Sequence, residues 1–144
     1  MQRLRGTCIA LEGHGVLLRG DSEAGKSDLA LRLIDAGGEL VSDDYTDVLA
    51  EDGRLLASAP PPLHGLLEVR GLGVVRLPAI AAASLVAAVD LVGISEIERL
   101  PPPCSETILG VAVPVFRLVA REASAVARIR LMIHLTMGSI MLMQ

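Results

Sequence analysis

The sequence predicts an α/β protein, a P-loop-containing mixed β-sheet core with flanking helices. Three observations carry that expectation. Gly20-Asp21-Ser22-Glu23-Ala24-Gly25-Lys26-Ser27 satisfies the pattern G-x-x-x-x-G-K-[ST]. The apolar run Val16-Leu17-Leu18 precedes it, and a helix-patterned stretch from Ser27 to Ala36 follows it. Beyond that helix, Leu40-Val41 runs into the acidic pair Asp43-Asp44, with Asp43 standing 17 residues after Lys26. A strand–loop–helix–strand unit brings the second strand's end back beside the loop, at the edge where open α/β sheets hold ligands.

Taken in order, Thr7 to Leu11 reads as a first strand, turning through Glu12-Gly13-His14-Gly15 into Val16 to Arg19. In the helix, Leu29, Leu33 and Ala36 fall on one face with Ala30 and Ile34 beside them, and Gly37-Gly38 supplies the stop. Thr46 to Ala50 and Arg54 to Ser58 flank an Asp-Gly turn, a hairpin signal. Pro60-Pro61-Pro62 predicts an extended linker. Leu66 to Arg76 is strand-like on either side of a glycine turn, and Ser84 to Val92 reads as a buried strand. Leu109 to Val119 is expected as a strand interrupted by Pro114. A final helix places Val126, Ile129, Ile133 and Met137 on one face.

At 144 residues the chain is expected to form one domain over residues 1–144. The apolar fraction of 51% and mean hydropathy of +0.53 raise the question of membrane insertion. Yet the charge-free run Leu77 to Val89, bounded by Arg76 and Asp90, is too short to span a bilayer and contains a proline, so it reads as buried core. Met1 to Gly6 opens no secretory apolar segment, and Cys8 and Cys104 suggest neither a zinc site nor a disulfide. A cytoplasmic setting is the expectation. A net charge of −4, with Tyr45 and Phe116 as the only aromatics, argues against a nucleic-acid surface. The partner expected is a small molecule or a protein.

The glycine loop has a definite chemistry. Successive backbone N–H groups turn inward to form an anion nest, and the positive end of the helix aims at the same point. Residues Gly20, Asp21, Ser22, Glu23, Ala24, Gly25, Lys26 and Ser27 are therefore the expected phosphate cradle. Lys26 would reach the β- and γ-phosphates and the Ser27 hydroxyl a Mg²⁺ ion. Lys26 is also the only lysine, the other 12 basic residues being arginines. A compact cation has been kept where a phosphate cradle needs one. A carboxylate of Asp43-Asp44 beside those phosphates would hold the metal or take the proton of an attacking hydroxyl.

With those residues in place, the chain resembles the catalytic domain of HPr kinase/phosphorylase, the bacterial enzyme acting on a serine of the phosphocarrier protein HPr. It is most similar to short forms lacking that family's N-terminal domain. The resemblance lies in Gly20 to Leu31, in Leu40-Val41-Ser42-Asp43-Asp44 and in the signature-like Leu67-Glu68-Val69-Arg70-Gly71-Leu72-Gly73-Val74-Val75. It implies a fold of the HPr kinase and phosphoenolpyruvate carboxykinase type, with ATP and Mg²⁺ as cofactors. It also implies an HPr-type phosphocarrier as partner and homo-oligomers, hexamers by the family pattern. Residue by residue, it implies Lys26 and Ser27 at phosphate and Mg²⁺, and Asp44 as proton acceptor in phosphorylation and donor in the reverse reaction. Asp43 is then the acidic neighbour, Glu68 a Mg²⁺-associated carboxylate and Arg99 an active-site arginine. Read without the resemblance, Glu68 and Arg70 are cross-strand or surface charges and Arg99 a solvated helix arginine.

The chain departs from the family at three places. Arg5-Gly6 stands where the family has a histidine before glycine or alanine, and His14, His64 and His134 read as turn, linker and helix residues instead. Arg121-Glu122-Ala123-Ser124 replaces a glycine–arginine–asparagine stretch tied to the phosphorylase reaction. Glu23-Ala24 makes the loop interior more acidic than usual. Two other readings stay open, a small-molecule P-loop kinase and a non-catalytic nucleotide-binding regulator.

Overall fold

Helix Lys26–Asp35 (α1) is the element around which the sheet is arranged, and a computed structural model describes residues 1–143. Its neighbours in sequence are strands Gln2–Arg5 (β1), Thr7–Leu11 (β2), His14–Arg19 (β3) and Glu39–Ser42 (β4). There follow Tyr45–Glu51 (β5), Arg54–Ser58 (β6), the ribbon Leu66–Val69 (β7) with Gly73–Arg76 (β8), and Ala83–Leu91 (β9). The chain closes with Ser105–Ile108 (β10), Val111–Leu118 (β11) and helix Ala125–Met137 (α2).

One sheet runs β1-β5-β6-β9-β3-β2-β4. The long strand β9 lies parallel to β3 along one edge. Its other edge is shared: Ala83 to Leu85 pair with β6, and Ala88 to Leu91 pair in parallel with β11. Both parallel and antiparallel ladders are therefore present, as the mixed-sheet expectation requires.

Alternation in the central strands sorts their side chains into two cores. Ile9, Leu11, Val16, Leu18 and Val89 face α1 and α2, meeting Leu29, Leu33, Ile129 and Ile133. Cys8, Ala10, Leu17 and Ala88 face the other way, against Val48, Leu55 and Val113 from the curled remainder of the sheet. Strands buried on both faces read as unbroken apolar runs, which is why β2 and β3 were visible in the sequence. Burial pushes the Cys8 thiol up to about 12. Cys8 is buried and Cys104 exposed, and both are free.

Five expectations need correction. The proline block is not simply extended: Pro61–Leu63 form a turn of 3-10 helix, Leu63 N–H donating to the Pro60 carbonyl at 2.8 Å. Pro114 does not interrupt β11. Val111 to Pro114 pair with β10 while Val115 to Leu118 pair with β9, so the residue without an N–H sits where the strand changes partner. The segment expected as one strand is thus half of a hairpin, turned at Leu109-Gly110, both with positive φ. His14 starts β3 rather than lying in the turn, and Met137 on α2 is half exposed. The run Leu77 to Val89 is core only in part, from Ala83 onward, with Ala79 making a single bridge to Leu40. Among the described residues no helix is long and apolar enough to cross a membrane.

Candidate active site

The glycine loop lies between the C-terminal end of β3 and the first turn of α1. Gly20 is confined: a Cβ there would come within 2.8 Å of the Ala24 Cβ and 3.1 Å of the Leu91 carbonyl oxygen. Gly25 precedes the helix at φ 91° without a side-chain cap, leaving the first-turn N–H groups free to face an anion. The loop's entry is fixed by Arg19, whose guanidinium makes a two-pronged bond to Asp90 on β9 at 2.7 and 3.2 Å and reaches Glu106 on β10 at 2.8 Å. Lys26 is largely buried, its ammonium donating to the Gly20 and Asp21 carbonyls of its own loop.

The acidic pair lies at a corner of the sheet. β2 pairs with β4 and β1 with β5, and both ribbons bend at the same level, Gly6 opposite Asp43-Asp44. Gly6 N–H donates to the Asp44 carbonyl at 2.8 Å, while Asp44 holds φ at 68°, an uncommon conformation for a non-glycine residue. Asp43 is partly buried and receives three donors. The hydroxyls of Thr7 and Ser27 lie 3.0 and 3.4 Å from Oδ1, and the Glu68 N–H lies 3.1 Å from Oδ2. Asp44 is exposed.

Glycine loop, acidic corner and β7–β8 ribbon enclose a cleft of about 490 Å³ whose lining includes Lys26, Ser27, Asp44, Glu68 and Arg70. Ser22, Glu23 and Gly25 face the same space. Across its mouth Glu23 pairs with Arg70 at 3.7 Å, both side chains largely exposed. Arg99 is not brought here; it is exposed in the irregular connection after the 3-10 turn Ile94–Glu96. His14, His64 and His134 do not line the cleft, and His134 instead meets Glu12 at 3.0 Å. Arg5 lies over the Tyr45 ring, 5.9 Å from its centroid.

The donors present are hydroxyl and carboxylate oxygens, the hard ligands that Mg²⁺ takes. Among the described residues no three His, Cys, Asp or Glu side chains cluster closely enough to hold a metal alone. Thr7, Arg19 and Arg70 were absent from the sequence-derived site. Thr7 gave no signal, because a β-branched residue opening a strand is explained by strand preference alone.

A mixed sheet with a glycine loop and an acidic corner at one end defines a P-loop α/β domain. A family model described as the HPr Serine kinase C-terminal domain matches residues 1–130, and the chain belongs to that family. Over 92 residues it is 40% identical to HPr kinase/phosphorylase of Clostridium tetani (strain Massachusetts / E88), an overlap of 64% of this chain and 30% of the relative. HPr kinase/phosphorylase of Clostridium botulinum (strain Eklund 17B / Type B) is 44% identical over 73 residues, 51% of this chain and 24% of the relative. The matches thus span less than a third of those curated relatives. The solved Hpr(Ser) kinase/phosphatase from Coxiella burnetii shares the fold with a TM-score of 0.80 at 26% identity, covering 96% of this chain and 95% of that one.

Proposed function

We propose that the chain is an ATP- and Mg²⁺-dependent protein-serine kinase acting on an HPr-type phosphocarrier, in control of carbon metabolism through the phosphotransferase system. The observation that carries this is the convergence of Lys26, Ser27, Asp44 and Glu68 on one cleft. The names of the relatives support the acceptor. In this reading the glycine loop holds the ATP phosphates, and the Lys26 ammonium leaves its loop carbonyls for them. Ser27 and Glu68 would hold Mg²⁺, which offsets charge on the transferring phosphoryl group.

The acceptor serine's oxygen forms a bond to the γ-phosphorus while the bond to the β–γ bridging oxygen breaks, releasing ADP. The serine proton passes to the Asp44 carboxylate, the member of the pair that faces the cleft. Asp43 orients its neighbours. Arg99 serves only if the connection after β9 folds over the cleft or a second copy delivers it, which fits a homo-oligomer, hexameric by the family pattern. A cytoplasmic location follows from such a substrate. The reverse reaction, drawn from Asp44 as donor, would run without the family's histidine, because Arg5 stands at that position, over the Tyr45 ring.

Glu23 at the cleft mouth favours a second reading, an ATP-binding regulator without turnover. One assay separates the two. With labelled ATP, Mg²⁺ and an HPr-type carrier, we expect label on a carrier serine, lost by at least about 100-fold in Asp44→Asn with ATP affinity retained. ATP binding without transfer by the wild-type chain would leave the regulator.

A further inference from the structure

Thr7 is fully buried at the start of β2, and the hydrogen-bonding capacity of its hydroxyl is directed to the acidic corner. Its one proton goes to Asp43 Oδ1 at 3.0 Å, and its oxygen receives the Asp44 N–H at 3.2 Å. A hydroxyl with its proton and a lone pair both engaged cannot rotate without breaking one bond or the other. An isolated core threonine would satisfy its hydroxyl on a nearby carbonyl, as Thr46 does on the Gly6 carbonyl at 3.0 Å. Thr7 instead bridges the two aspartates.

We propose that Thr7 is the positioning residue of the site: its hydroxyl locks the Asp43-Asp44 turn and thereby sets Asp44, Ser27 and Glu68 relative to one another. The lock works through two arms. On one, the bond to the Asp44 N–H supports the left-handed backbone that turns Asp44 toward the cleft. On the other, the bond to Asp43 fixes the plane of a carboxylate whose remaining contacts hold the Ser27 hydroxyl, on the glycine loop, and the Glu68 N–H, on the ribbon. Asp43 is accordingly a joint between three segments of the site, with its oxygens turned to internal donors, and Asp44 is left as the carboxylate free to receive a proton. Outer-shell partners that orient a reacting group commonly cost as much to lose as a weak ligand. The inference rests on the phosphotransfer reading of the cleft.

The test compares wild type, Thr7→Val and Thr7→Ser in the full chain, ¹⁵N-labelled. Amide hydrogen exchange is read at Asp44 and Glu68, together with the melting temperature and the steady-state constants for transfer to an HPr-type carrier. In Thr7→Val both amides should exchange about tenfold faster, since each depends on a bond that the hydroxyl organises. The turnover number kcat should fall about 10- to 100-fold. KM for ATP should change less than kcat, because the loop backbone that would hold the phosphates makes no contact with Thr7 and only the Ser27 hydroxyl is linked to it, through Asp43. Thr7→Ser, which keeps the hydroxyl, should restore the exchange rates and most of kcat. Wild-type exchange at both amides in Thr7→Val would overturn the proposal. So would unchanged kcat alongside a lowered melting temperature, the signature of a plain core residue. Should Thr7→Val fail to fold, Thr7→Ala, which adds no methyl in place of oxygen, is read against Thr7→Ser by the same criteria. If the wild-type chain labels no carrier, the kinase reading fails by itself, and the exchange arm still decides whether Thr7 organises the corner.

Discussion

The glycine loop and the β7–β8 ribbon face each other across one cleft, yet they are anchored quite differently. The loop leaves a strand paired on both edges, with Leu17 and Leu18 fully buried just before it and Arg19 clamped to Asp90 and Glu106. The ribbon is a separate two-stranded sheet. Leu67 is its one fully buried side chain, while Leu72 and Val74 are 78% and 65% exposed. Two-stranded ribbons are marginal by themselves, and local stability follows burial. Under the proposed function the nucleotide's wall is thus rigid before anything binds, and the wall carrying Glu68 is the adjustable one. The Asp43 bond to the Glu68 N–H and the Glu23–Arg70 pair tie the two together.

The largest effect should come from thinning the rigid wall. Leu18→Ala, at a site with no solvent exposure, should cost about 2–5 kcal/mol of unfolding free energy. Leu72→Ser on the ribbon should stay within about 0.5 kcal/mol. Urea denaturation of both variants checks this. Equal losses would mean that the ribbon is as integral to the core as β3, and the comparison between the walls would fail.

How far the sequence showed this arrangement depended on whether the signal was local. The glycine loop, α1, β2 and β3 each carry their own mark in spacing or apolar runs, and the Asp52-Gly53 turn was read from its two residues. β1 and β10, Gln-Arg-Leu-Arg and Ser-Glu-Thr-Ile, are exposed except at Leu4 and Ile108 and offer no apolar alternation, so their pairing is known only from the strands they join. Pro114 looked like a break because its tolerance depends on a change of partner strand, a tertiary fact. The site divides the same way. Lys26, Ser27 and Asp44 stand out by residue type and spacing and Glu68 by the family resemblance, and all four line the cleft. Arg99, placed by the resemblance alone, lies outside the lining, and Thr7 matters only because Gly6 brings β2 past the acidic turn.

A smaller effect tests the link at the cleft mouth. Glu23→Gln removes an exposed ion pair worth at most about 1 kcal/mol, so stability should barely change. The same change removes a negative charge beside the phosphate cradle. ATP affinity should rise up to about fivefold, more at low salt than at high salt. Titration calorimetry at two ionic strengths measures it. Weaker ATP binding in Glu23→Gln would mean that the pair holds the ribbon in its working position, making the second wall less independent than its burial suggests.

The smallest effect lies on the far side of the acidic corner, where Arg3 on β1 grips Asp47 on β5 at 2.8 and 3.2 Å. The hydrogen bond from Arg3 holds the Asp47 carboxyl below the usual carboxylate range. The unfolded chain therefore binds this proton at a higher pH than the folded chain does. The pair's contribution is present above the unfolded value and is lost as pH falls through the folded one. Asp47→Asn should flatten that part of the acid-denaturation curve while leaving stability near neutral pH only slightly lower, as expected for a pair whose arginine is half exposed. Because β1 reaches the site through Gly6, the same acid range should also loosen Asp44 in the wild type. A protection factor at Asp44, exchange corrected for its intrinsic pH dependence, that falls on acidification in wild type but not in Asp47→Asn would extend the rigid wall as far as β1. Identical profiles in the two proteins would end it at Thr7.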